Sequence, residues 1–147
     1  MTNAAATRKV NLELVQQVWM PYTTQFTQLN PHVQAQWLAG QGYARFADVL
    51  AHIIAWWEVA YDRIERLATG QDAPMVQYDV DAFNLEAVRR FAGLDEAEVS
   101  RRYSDWCRRW QQLLERLPDQ ALENPDIARQ LQMDLFEHLN DHALPQR

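Results

Sequence analysis

Apolar side chains in this chain recur every three to four residues and nowhere alternate over a strand-length run, so the α-helix is its building material. The clearest stripe is Phe46, Leu50, Ile53, Trp57, Ala60, Ile64 and Leu67. It predicts a helix over about Arg45–Thr69, closed by Gly70, where positive φ costs glycine nothing. Val15, Val18, Tyr22, Phe26 and Leu29 mark a first helix from about Asn11 to Asn30. Pro21 inside it removes a backbone hydrogen bond and predicts a kink near Gln17–Pro21 or a broken helix. Asp95 with Glu98 forms a capping-box-like start to a third helix ending near Leu117, with the heptad stripe Val99, Tyr103, Trp106, Trp110, Leu113, Leu117. Asn124 followed by Pro125 opens a fourth helix to about Leu144.

The connections read differently. Asn30-Pro31 through Gly40 and Gly42 predicts a loop with one short turn around Val33–Leu38. Gln71–Asp81 predicts a long crossover, followed by a short helix over Ala82–Phe91. The expectation is an all-α fold: a four-helix bundle with a short extra helix in the long connection between the second and third helices. One domain spans residues 1–147, with residues 1–9 as a flexible tail.

Charge narrows the function. A formal net charge of −6 removes the basic face that nucleic acid or an anionic membrane requires. The arginine pairs Arg89-Arg90, Arg101-Arg102 and Arg108-Arg109 look basic, yet Asp105 and Glu98 sit four residues from several of them, the spacing of surface ion pairs. Met1–Lys9 lacks the apolar segment of a secretory signal, and a single cysteine, Cys107, forms no internal disulfide, so the cytoplasm is the expected location.

Three of the four histidines fall on helices. At 100° per residue with Ile53 at zero, Val49 and Trp56 lie at about −40° and −60° and His52 at about −100°, inside a wide apolar arc. With Leu135 at zero, His138 lies at about −60° and His142 at about −20°. A lone histidine on such a face is more often a satisfied core residue than a ligand. His138 and His142, four residues apart, stack on one face and can chelate one ion. With His52 they make three nitrogen ligands from two helices, a shell that leaves one coordination position open. Imidazole suits zinc, nickel, copper and iron alike, with zinc the first expectation and nickel or iron the alternatives. His32, in the loop, reads as an ordinary exposed residue.

The run from Phe46 to Trp56, with Asp48-Val-Leu-Ala-His52 at its centre, resembles the "DVLAHLxxW" segment of the DinB-like metal-binding four-helix-bundle superfamily. Asp79-Val-Asp-Ala-Phe-Asn84 is similar to that family's "DxDAFN" element, and His138-Leu-Asn-Asp-His142 to its terminal HxxxH. The nearest branch by this likeness is the ClbS/DfsB type. The resemblance implies a zinc- or nickel-type site on His52, His138 and His142, frequent homodimers, and thiol-dependent transferases or hydrolases using a low-molecular-weight thiol. Pro145, three residues beyond His142, stops the last helix earlier than the family pattern suggests and predicts a frayed end.

Other chemistry is thinner. Asp48 and Asp134 each precede a ligand histidine by four residues and are candidate acceptors for its outer ring N–H, against the plainer reading of surface carboxylates. Trp56, one turn beyond His52, is a candidate pocket wall. Glu58 and Asp62 more simply serve ion pairing, as in Asp62–Arg66, and Cys107 reads as a small buried hydrophobe. No residue is marked as catalytic. Two readings follow: a metal-dependent enzyme in which water or a thiol attacks a small electrophilic substrate, or a non-catalytic bundle whose site is structural or vacant and which acts by dimerisation or partner binding.

Overall fold

The computed structural model describes residues 3–146, and every regular element among them is helical. Helix α1 (Asn3–Leu14) widens into a π-helical segment (Val15–Trp19) and, after Pro21, resumes as α2 (Tyr22–Thr27). The amide of Met20 reaches back to the Val15 carbonyl at 2.8 Å, so the extra residue in the turn absorbs the clash that Pro21 would impose on the preceding turn. The expected disturbance is there as a break, with the run interrupted at Met20 and Pro21. The expected tail is not: residues 3–9 form the first turns of α1. Ala4 is fully buried there, and Arg8 reaches the Leu114 carbonyl and Asp119. Residues 1 and 2 lie outside the described residues.

A second correction concerns residues 31–41, where a full helix, α3 (Pro31–Gln41), replaces the expected loop. Asn30 caps it by accepting from the His32 amide at 2.8 Å, Pro31 opens it, and Gly42 ends it at φ 80°. It buries none of its residues fully, so no stripe announces it.

The remaining elements follow their caps. Helix α4 (Phe46–Ala68) starts where Asp48 accepts from the Arg45 amide, and Gly70 follows it at φ 81°. Helix α5 (Val80–Phe91) begins on Asp79, two residues earlier than expected, and α6 (Glu96–Arg116) on Asp95, which accepts from the Glu98 amide at 2.8 Å. A single turn, α7 (Asp119–Leu122), precedes α8 (Pro125–Leu131), which Asn124 caps. The last run continues through a second π-helical segment (Gln132–Glu137) into α9 (His138–His142).

The helices close around one core: the first run lies against α6, α6 against α4, α4 against the last run, and the last run against the first. Trp19, Trp57, Trp110 and Tyr103 are fully buried at its centre, with Trp57 stacked on Tyr103 and edge-on to Trp19 at 5.1 Å. The second π segment has a visible use. The carbonyls of Asp134 and Leu135 accept from the indole N–H groups of Trp57 and Trp19, at 3.2 and 2.9 Å, tying the last run to the aromatic core just before the histidine pair. The arginine pairs of α5 and α6 are solvated: Glu98 holds Arg101 and Arg102, Asp105 holds Arg101 and Arg108, and Arg109 lies over the Trp106 ring. No helix among the described residues is long and apolar enough to cross a membrane.

Candidate metal centre

Helix α4 carries His52 on its buried face, and α9 brings His138 and His142 against it from the last run. One ligand-type atom from each histidine lies within 4.8 Å of the others. Nε2 of His52 and Nε2 of His138 stand 3.2 Å apart, and Nε2 of His142 is buried with no hydrogen-bond partner among the described residues. Zinc bonds of 2.0–2.1 Å at tetrahedral angles place nitrogens about 3.3 Å apart, so the closest pair already has the spacing of two ligands. Three neutral imidazoles sharing one buried point, one of them orphaned, fit a divalent cation.

Burial keeps the rings neutral. It lowers the pKa of His52, offset in part by Asn84 and Asp141, and with the neighbouring histidines it lowers His138 to about 3 and His142 to about 2. Neutral histidine is the metal-binding form.

Among the described residues, His142 is the ring with a well-formed hydrogen bond outside the cluster. Nδ1 of His142 bonds Oε1 of Gln41 at 2.7 Å, which puts the proton on Nδ1 and leaves the Nε2 lone pair free. Gln41 belongs to α3, the helix that periodicity missed. The expected outer partners do otherwise. Asp48 is spent on Arg45, accepting from its backbone and guanidinium, and Asp134 accepts from Nε2 of Gln130, while Nδ1 of His52 and of His138 makes no hydrogen bond among the described residues. Both carboxylates lie one turn before a histidine, but the first is claimed by its helix cap and the second by the neighbouring turn of its own run.

A cavity of about 320 Å³ opens beside the cluster, lined by His52, His138, Trp56, Val80, Asp134 and Glu137 among others. Trp56 is therefore placed at its wall, held by a 2.8 Å hydrogen bond from Nε1 to Asn84 Oδ1. The Glu137 carboxylate at the rim is paired with Arg129 at 3.0 Å. Asp134, on the same wall, has its pKa raised by burial to about 7, so its carboxyl can hold or release a proton near neutrality. Glu58 pairs with Arg90 and Asp62 with Arg66. Cys107 is buried and its thiol pushed up to about 12, which removes it as a nucleophile. His32 is exposed at the start of α3.

The end of α9 is not loose. The carbonyls of Asp141, His142 and Ala143 accept from Gln41 Nε2, Tyr22 Oη and Trp37 Nε1. Side chains of α2 and α3 thus do what further helix would have done before Pro145.

No curated protein and no solved structure matches this chain. A family model does, over residues 15–143, and it carries the superfamily rather than any branch of it. That match begins at the first π-helical segment, runs through α9 and includes all three histidines, and the chain belongs to the DinB superfamily.

Proposed function

We propose that the chain is a four-helix bundle that binds one divalent ion, zinc first with nickel or iron as alternatives, through His52, His138 and His142. On this reading it is a metal-dependent transferase or hydrolase in which a low-molecular-weight thiol or water attacks a small electrophilic substrate. The observation that carries it is the orphaned Nε2 of His142 beside the His52–His138 pair, next to a cavity that both of those residues line. When bound, such an ion supplies Lewis-acid activation of water or a thiol. The protein's own part is separate. Gln41 holds the His142 proton at Nδ1, Trp56 and Val80 shield one side of the cavity, and Asp134 can exchange a proton with a group bound there.

Metal analysis of tag-free protein should return one ion per chain, and calorimetry should show zinc binding abolished in the His52→Ala/His138→Ala/His142→Ala variant. Equal zinc affinity in that variant would show the ligands misassigned. Cobalt-substituted protein titrated with small thiols should develop thiolate-to-cobalt absorption. A spectrum unmoved by any thiol or anion favours the non-catalytic reading.

That second reading draws on Val10 and Phe136, 55% and 48% exposed, which line one groove between α1 and the last run. An apolar face of this kind suits a homodimer. Sedimentation of the parent against Phe136→Ser separates a dimer through this face from a monomer.

A further inference from the structure

A larger cleft abuts the histidine cavity. It encloses about 720 Å³ between α4, the linker of residues 70–79 and the last run, and shares Trp56, Met133 and Asp134 with the smaller cavity. Volumes of roughly 300–1,000 Å³ are those of small-molecule sites.

One wall is aromatic. Trp56 and Phe83 lie with ring centroids 4.0 Å apart and planes tilted by 31°, and Tyr78 meets both edge-on at 5.5 and 5.2 Å. The linker supplies further lining in Met75 and Val76, which remain 56% and 63% exposed. Large apolar side chains left open beside an aromatic wall mark a surface that gains by being covered. The linker is fastened in place, since Nε of Arg63 donates to the Ala73 carbonyl at 2.7 Å.

The charges in the lining decide the ligand's polarity. Arg63, Arg66 and Arg90 face Glu58, Asp62, Asp72 and Asp134, so three guanidiniums meet four carboxyl groups. Arg90 is tied to both oxygens of Glu58, Arg66 to Asp62, and Arg63 to Ala73 and Gln130. No net positive charge remains to hold an anion.

We propose that this cleft is the subsite for a neutral, flat, apolar portion of the substrate, of aromatic-ring size; the word substrate here rests on the functional reading above. The cleft's ligand preference stands on its own walls. Because the shared residues join it to the histidine cavity, a molecule seated here presents its other end to His52 and His138.

The test uses the full chain, metal-free, titrated with the neutral fluorophore N-phenyl-1-naphthylamine and with anionic 8-anilinonaphthalene-1-sulfonate. The neutral probe should bind saturably and more tightly than the sulfonate. Val59→Trp, which fills the cleft from α4, and Met75→Ser with Val76→Ser, which strips the exposed linker side, should each weaken it by about tenfold or more. Val10→Ser, on the separate groove, should leave it unchanged. Unaltered binding in the linker variant, whose substitutions are exposed and leave the core intact, overturns the proposal. So does tighter binding of the sulfonate. Zinc calorimetry on the same proteins reports on the histidines alone, so the two readings fail separately.

Discussion

Gln41 holds the end of α9 at two points: its Oε1 accepts from the His142 ring Nδ1–H at 2.7 Å, while its Nε2 donates to the adjacent carbonyl of Asp141 at 3.0 Å. One side chain from α3 thereby fixes the tautomer, the ring orientation and the backbone beneath it. Outer partners of this kind typically contribute 10–100-fold in metal affinity. Gln41→Ala should therefore weaken zinc binding by roughly that factor with helicity unchanged, and Gln41→Glu, which keeps an acceptor at the same reach, should recover most of it. Calorimetry on the two variants checks this; equal affinities in Gln41→Ala and the parent would remove the residue from the site.

The fold was legible wherever a residue pattern had one dominant cause. The α4 stripe, the Asp95 and Asn124 caps and the Pro21 disturbance all appear where spacing placed them. His52, His138 and His142 were legible for the same reason, since polar rings on apolar arcs ask for a common partner. Helix α3 was not, because it lies on the surface with no fully buried residue and two glycines near its end. Its contribution, Gln41 and Trp37, could be found only once the chain had folded back. The roles of Asp48 and Asp134 failed on competition. Helical spacing puts each a turn from a histidine, but spacing does not say that Arg45 and Gln130 are nearer donors.

Burial gives the metal-free protein a defined acid limit. His138 and His142 fall from 6.5 to about 3 and about 2 in the folded chain, so between those values and 6.5 the unfolded chain binds protons that the folded chain refuses. The stability they leave intact above about pH 6.5 should be lost progressively as pH falls below it. Urea melts of metal-free protein from pH 8 to pH 5 should show this decline, and His138→Leu should flatten it. Asp134 titrates in the opposite sense over the same window, so the deciding background is Asp134→Asn, where stability that stays level across that range would contradict the buried neutral rings.

Asp134 works in the opposite sense. Its pKa rises from 3.8 to about 7 on folding, so its contribution is fully present below about pH 4 and is lost as pH rises through 7. Asp134→Asn keeps an oxygen for Gln130 and removes the buried charge. It should leave stability nearly unchanged at pH 4 and raise it at pH 8 by on the order of 1–3 kcal/mol. Matched denaturation curves at the two pH values give the answer, and a variant equally stable relative to the parent at both would place the carboxyl in water. If the metal-dependent reading holds, the same substitution should lower turnover while leaving zinc affinity within about threefold, since the carboxyl touches no ligand ring.

Tyr22 sets the last prediction, because it acts on the ligand-bearing helix from outside the site. Its hydroxyl donates to the carbonyl of His142, one of the groups that α9 leaves unbonded when it stops before Pro145. Burial raises the phenol's pKa, so it remains a donor throughout the accessible pH range. Tyr22→Phe keeps the ring contacts with Trp19, Phe46 and Tyr103 and leaves the buried carbonyl without its partner. Such a loss costs about 1–3 kcal/mol, and in a domain of this size each kcal/mol lowers Tm by roughly 2–4 °C. The position of His142 depends on the same bond, so zinc affinity should fall together with Tm, and added zinc should recover part of the lost stability by binding the folded chain alone. Thermal melts with and without zinc separate the two effects. A variant that melts with the parent and binds zinc as tightly would mean that Trp37 and Gln41 suffice to hold the end of α9.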